Sequence, residues 1–199
     1  DHPKNPTSPY GLTKWCFEQY LSLYDRKKSI RSISLRYFNA SGASLDGNFC
    51  EAHQPETHII PLGTQAAMEK KEFYLYGDDY QTSDGSCIRD YIHIEDLCQA
   101  HLLALDALSG GHGSDIYNVG TGIGVSNKEV IAQIKKETGI DFPVVAKPKR
   151  AGDPAQLVAD PTRLKKEFGW EPKYSDIATI VASAWKWHKN HPQGYENRN

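Results

Sequence analysis

A tyrosine four residues before a lysine, in Tyr10-Gly11-Leu12-Thr13-Lys14, is the stretch of this sequence best suited to proton chemistry. On a helix, residues four apart project from one face, one turn above the other. A lysine ammonium held beside a phenol favours the phenolate and draws the tyrosine pKa down, which makes it a general base for a substrate hydroxyl. The same spacing also occurs on solvated helix faces that do nothing, so the surroundings must decide. Further along, Arg89 stands in an otherwise apolar segment and needs an anionic partner, because a buried unpaired guanidinium is costly; Asp90 is one internal choice. Arg150 and Asp153 flank a glycine in a loop where Lys147, Lys149 and Arg150 fall within four residues. Arginine suits bidentate phosphate contact, although a basic loop can equally be plain solvated surface.

These residues need elements to hold them. Ser8 can cap a helix over residues 9–26, with Pro9 in its first turn and Trp15, Phe17, Leu21 and Leu23 among its apolar positions. Residues 32–38 alternate as a strand, and residues 39–42 read as the loop leaving it. Ligands of open α/β sheets sit beyond the carboxyl ends of strands, which suits Phe38 and Asn39; Asn39 as a simple turn residue is the alternative. Next come a helix over 58–70, an aromatic strand over 73–76, a polar turn-rich insertion over 77–86 and a strand over 88–93. Aromatic strand residues are usually core, but an exposed one can stack on a planar base. A helix over 94–108 ends at Gly110-Gly111, and a strand over 116–119 runs into Gly120-Thr121-Gly122-Ile123-Gly124. That G-x-G-x-G spacing is not the dinucleotide-binding G-x-G-x-x-G, so it reads as a tight strand-to-helix turn. Ser126 and Glu129 form a capping box for a helix reaching residue 138, a strand follows over 142–146, and helices over 161–168 and 175–190 close the chain.

Composition bounds the function classes. The chain has 199 residues, 39% hydrophobic and 24% charged, which argues for a soluble globular chain rather than a disordered one. A net charge of −2 carries no basic field for nucleic acid, and no apolar run approaches the roughly 20 residues a membrane span needs. The four cysteines form no CxxC pair and the eight histidines show no HExxH spacing, so reduced thiols in the cytoplasm are expected and no metal site is legible.

The stretches NPTSPYGLTK, SLRYFNASGA, ETHIIPL, YLYGDDYQTSDGSCIRDYIHIEDL, IYNVGTG, RAGDPAQLVAD and HPQGY, in that order, resemble the extended short-chain dehydrogenase/reductase family. The insertion QTSDGS and the HPQGY tail resemble its branch that epimerises UDP-hexoses at C4. The resemblance implies the end of an NAD-binding Rossmann domain, residues 1–40, followed by a smaller α/β UDP-sugar-binding domain, residues 41–199, with some segments returning to the first. It implies NAD as cofactor, a UDP-hexose as substrate, a place in galactose metabolism and a homodimer formed through helices. By matching motif, Tyr10 takes the proton from the sugar O4, and Lys14 lowers its pKa and holds the nicotinamide ribose. Phe38 approaches the nicotinamide, and Asn39 holds a hexose or phosphate oxygen. Tyr74, Leu75 and Tyr76 line the uracil, largely through backbone. Arg89 and Arg150 clamp the diphosphate, and Asp153 accepts from the uridine ribose. His58, beside Ile59, occupies a substrate-contacting place often held by asparagine, and Leu157 a gate that is tyrosine in some members. The family's glycine-rich phosphate turn, ribose-binding acid and catalytic Ser/Thr precede the tyrosine and do not occur in this sequence. The chain alone is therefore expected to be inactive and to need that N-terminal half for NAD. Other readings are a nucleotide-sugar 4,6-dehydratase or decarboxylase, or a non-catalytic UDP-sugar-binding fragment.

Overall fold

Apolar side chains gather on two cores, and the elements sort by which core they cover. The computed structural model describes residues 4–6, 8–28 and 30–195; Thr7, within the NPTSPYGLTK motif, lies outside them. Along the chain run α1 (Pro9–Arg26), β1 (Ile33–Tyr37), β2 (Asn39–Ser41), α2 (Ile59–Glu69) and β3 (Phe73–Tyr76). Then follow β4 (Ile88–Arg89), β5 (Tyr91–His93), α3 (Ile94–Ser109), β6 (Asp115–Val119), β7 (Val125–Ser126) and α4 (Asn127–Thr138). The last elements are β8 (Val144–Lys147), β9 (Gln156–Leu157), α5 (Thr162–Phe168) and α6 (Ile177–Asn190).

The first core lies under α2, α4 and α6, where Ile60, Phe73, Leu75, Val130, Ile134, Phe142, Ile180 and Val181 pack together. The second lies against the parallel pair β1–β6 and joins Ile92, Leu97, Tyr117, Val119, Leu164 and Trp170. The remaining pairs, β2–β5, β3–β8 and the three strands β7-β4-β9, are short. β4 alone among them has both a parallel and an antiparallel neighbour among the described residues, β9 and β7. No helix among the described residues is long and apolar enough to cross a membrane.

Three sequence expectations change. Residues 39–41 are not loop but β2, because their backbone pairs in parallel with residues 91–93. The strand expected over 88–93 breaks at Asp90, whose N–H donates to Leu157 O (3.1 Å) while its carbonyl accepts from Asn39 N (3.0 Å). One residue thus hands the chain from the β4–β9 pairing to the β2–β5 pairing. The strand expected over 142–146 moves to Val144–Lys147, since Phe142 goes into the first core and Pro143 has no N–H for a ladder. The capping box at Ser126 forms as expected, with Glu129 N donating to Ser126 Oγ (3.1 Å) and Ser126 N to Glu129 Oε2 (2.7 Å).

Candidate functional site

Helix α1 starts where the sequence says. Ser8 Oγ accepts from Gly11 N (3.1 Å), which satisfies a first-turn donor and fixes the face on which Tyr10 and Lys14 stand. Lys14 Nζ lies 5.1 Å from the centre of the Tyr10 ring, and Tyr10 is 72% exposed. Among the described residues no hydrogen bond or ion pair engages the phenol oxygen or the ammonium, so both are open to a ligand. α1 buries no residue fully. It is tied down by Glu18, whose two carboxylate oxygens accept from Nε and Nη2 of Arg36 on β1 and raise the arginine's pKa by that hydrogen bonding. The Tyr10–Lys14 face is thereby anchored to the sheet whose end carries Phe38 and Asn39.

Asn39 uses its side chain locally: Nδ2 donates to Asp90 O at 2.8 Å. Its amide oxygen is left as an acceptor for a hydroxyl or N–H donor. His58 stands as the N-cap residue of α2, with Ile59 as the first helical residue and half-buried. The His58 ring is held by two carboxylates, Glu51 Oε1 at 3.0 Å and Glu56 Oε1 at 2.9 Å from Nδ1. The sequence reading missed both glutamates.

The remaining candidates form one group. On β3 the strand alternation turns Tyr74 and Tyr76 outward and Leu75 into the first core, so Leu75 can offer a ligand only its backbone. Lys147 Nζ lies 4.5 Å over the Tyr74 ring, and the Arg150 guanidinium 4.3 Å over the Tyr76 ring. These stacking contacts hold two cations beside two outward aromatic faces. Arg89 finds its anion across the loop: Nη2 donates to Asp153 Oδ1 at 2.5 Å, while Nη1 donates to Ile88 O at 2.8 Å. The Arg89 side chain is 11% exposed, a nearly buried charge that carries a partner as it must. Leu157 lies directly opposite Arg89 in the β4–β9 register and is exposed. Tyr80 lies beside this group; burial, then Cys87, pushes its phenol up to about 12, so it stays protonated near neutrality. Among the described residues no hydrogen bond or ion pair joins Tyr10 or Lys14 to the Arg89 group.

Asp90, the arginine's suggested internal partner, does something else. It is fully buried, and Oδ1 accepts from Thr121 N (2.9 Å) and Thr121 Oγ1 (2.8 Å). Oδ2 accepts from Gly122 N (3.0 Å) and Ala159 N (3.2 Å). The G-x-G-x-G turn is therefore closed around a protein carboxylate. A Cβ on Gly120 would come within 2.6 Å of Asp90 Oδ2 and of Ala159 Cβ, so the glycine is needed for this close approach. The QTSDGS insertion is pinned in a similar way. Asp84 Oδ2 accepts from Ser126 Oγ (2.5 Å) and Oδ1 from Ser86 N (2.8 Å); these bonds outweigh burial and hold the carboxyl below its usual range.

Comparison with known proteins follows the same lines. The profile of the NAD dependent epimerase/dehydratase family matches residues 1–120. A UDP-glucose 4-epimerase of Lactobacillus helveticus is 46% identical over 199 residues, all of this chain and 60% of the relative. A crystal structure of a UDP-glucose 4-epimerase superposes with a TM-score of 0.93 at 46% identity, covering 97% of this chain and 59% of that one. The UDP-glucose 4-epimerase of Bifidobacterium longum, solved with NAD+ and UDP, gives a TM-score of 0.89 at 37% identity, covering 96% of this chain and 57% of that one. The chain thus spans about 60% of the length of the Lactobacillus relative.

Proposed function

This chain belongs to the NAD dependent epimerase/dehydratase family, and we propose that it forms the UDP-sugar-binding part and the catalytic Tyr–Lys helix of a UDP-glucose 4-epimerase. The fold is the α/β fold of the extended short-chain dehydrogenases/reductases. The observation that carries the reading is the Tyr10–Lys14 pair, side by side on an anchored helix face, with both polar ends open. NAD would supply reversible hydride chemistry at the sugar C4, and Lys14 and Phe38 would hold its nicotinamide end. These residues suit that cofactor: an open ammonium beside the phenol can donate to a ribose hydroxyl, and no carboxylate among the described residues neutralises it.

The chain's own residues supply the rest. Tyr10 takes the proton from the sugar O4 and gives it back, while Lys14 favours the phenolate. Phe38, at the end of β1, approaches the nicotinamide, and the amide oxygen of Asn39 accepts from a sugar hydroxyl. Arg89 and Arg150 hold the diphosphate. Arg89 arrives already positioned by Asp153, whose second oxygen accepts from the uridine ribose. Tyr74, Tyr76 and the Leu75 backbone flank the uracil, with His58 and Ile59 at the sugar end. Anchoring the substrate by its nucleotide leaves the hexose free to turn over between the two hydride transfers.

Residues 1–40 belong on this reading to the cofactor domain and residues 41–199 mainly to the sugar-nucleotide domain. Some later segments return to the first domain on this reading, which is supported by the second core, where Ile33 and Leu35 of β1 pack against Ile92, Leu97, Tyr117, Val119, Leu164 and Trp170. The enzyme is a cytoplasmic homodimer acting in galactose metabolism, with the family's glycine-rich segment completing its NAD site. The test is product analysis after incubating that NAD-bound enzyme with UDP-galactose. UDP-glucose without accumulated NADH is the expected product. A 4-keto-6-deoxy or decarboxylated sugar would assign the chain to a dehydratase or decarboxylase instead.

A further inference from the structure

The loop before α2 draws together four side chains that the mechanism above does not require as a set. Glu51, His53, Glu56 and His58 occupy an E-x-H-x-x-E-x-H stretch, and one donor atom from each lies within 4.8 Å of every other. His58 Nδ1 meets carboxylate oxygens from Glu51 and Glu56 at 3.0 and 2.9 Å. One ring nitrogen carries at most one proton, for which the two carboxylates compete, while Glu56 Oε1 also accepts from Thr57 N (2.6 Å) and His58 N (2.7 Å). Neither forms an ion pair with a lysine or arginine among the described residues, although the Glu56 side chain is only 7% exposed. A nearly buried carboxylate without a lysine or arginine is costly, and Glu56 is one, with the partly exposed Glu51 beside it.

The cluster also opens onto a place for further ligands. Glu51, His53 and Glu56 line a cavity of about 540 Å³ together with His188, His191 and Trp187. Trp187 is 1% exposed, and its indole Nε1–H has no acceptor among the described residues. An oxygen ligand carried on a cation in that cavity is the kind of acceptor it lacks.

We propose that Glu51, His53, Glu56 and His58 form a binding site for one divalent transition-metal ion of the zinc type. Two imidazoles and two carboxylates match the N/O preference of zinc, whereas magnesium and calcium favour all-oxygen sets. Metal–donor bonds of about 2.0–2.2 Å put tetrahedral ligand atoms about 3.4 Å apart. The His58–Glu51 and His58–Glu56 separations are already below that, and the exposed His53 is free to close the rest. With Nδ1 on the metal, the His58 proton resides on Nε2, the nitrogen left to face a ligand at the α2 N-terminus. Metal binding requires no turnover of sugar nucleotide, so the two readings fail separately.

The test is titration of the chelator-treated protein with Co2+, read by visible absorption, followed by Zn2+ competition. One equivalent of Co2+ should give the d–d bands of a four- or five-coordinate N/O site, and Zn2+ but not Mg2+ should abolish them. Glu56→Gln and His53→Ala should each weaken Co2+ binding at least about tenfold, the lower end of what even outer-sphere partners contribute. His53 is exposed and its recorded contact is with the His58 ring, so His53→Ala leaves the fold intact even where Glu56→Gln does not. Absence of the bands, equal competition by Mg2+, or unchanged affinity in the folded His53→Ala variant would overturn the site.

Discussion

At the scale of single residues, the candidate side chains have sharply different surroundings. Tyr10 is exposed with Lys14 beside its ring, whereas Arg89 is nearly buried and already paired with Asp153. Arg89→Lys should therefore not be a mild change, because lysine cannot reproduce both the bond to Ile88 O and that to Asp153. Leu157 offers a sharper prediction. It is exposed opposite Arg89, at the position implied to gate the hexose, and leucine leaves more room there than tyrosine. The NAD-bound enzyme is expected to turn over UDP-N-acetylglucosamine as well as UDP-glucose, and Leu157→Tyr to lose the first while keeping the second. A coupled assay with both sugars measures this; a wild-type enzyme inert toward the N-acetylated sugar would refute it.

At the scale of elements, two buried polar groups hold the site's framework. Asp90 ties the 120–122 turn and Ala159 to the point where β4 becomes β5, just after Arg89. Asp90→Ala should strand these donors and lower stability by about 3 kcal/mol or more, read as a fall in urea midpoint. The second group is His93. Its Nδ1 accepts from Glu95 N (3.1 Å) to cap α3, so the proton sits on Nε2, which donates to Ser183 Oγ (3.1 Å). Burial lowers its pKa against the opposing pull of Asp96, Glu95 and Asp176, and burial likewise lowers that of His188. Both histidines thus bind protons more weakly folded than unfolded. Stability is full above the unfolded value of about 6.5 and falls as pH drops below it toward the folded values. Urea midpoints from pH 7.5 to 5 should decline, and His93→Gln should flatten that slope; a midpoint rising on acidification would contradict the assignment.

Much of this framework was legible beforehand. Helix α1 with its Ser8 cap, the aromatic strand 73–76 and the Ser126–Glu129 box all follow from local rules, and the structure has them at those places. What local rules could not supply is pairing across the chain. Residues 39–41 become a strand only because residues 91–93 lie beside them. Arg89 takes Asp153 rather than its neighbour Asp90 because the β4–β9 pairing brings that loop across. The Glu51–His58 cluster escaped for a different reason: its E-x-H-x-x-E-x-H spacing matches no familiar metal motif, and a loop rather than a helix gathers it.

At the scale of the whole molecule, α1 is the element with the most unfinished surface. Leu12, Phe17, Tyr20 and Leu23 are all exposed on a helix that buries no residue fully. Apolar faces of this kind mark interaction surfaces, and the implied dimer would cover one. Phe17→Glu should lower self-association of the enzyme, as read by light scattering over a dilution series, without altering the Arg89 group. The central claim is that Tyr10 moves the sugar O4 proton, and a single comparison tests it most directly. The rate of UDP-galactose conversion to UDP-glucose is measured for the NAD-bound enzyme and for Tyr10→Phe, with UDP binding confirmed in both. Loss of a general base predicts a fall in kcat of about 10²–10⁴-fold with UDP affinity unchanged. A Tyr10→Phe enzyme that binds UDP and still converts UDP-galactose within about tenfold of the wild-type rate would contradict the account.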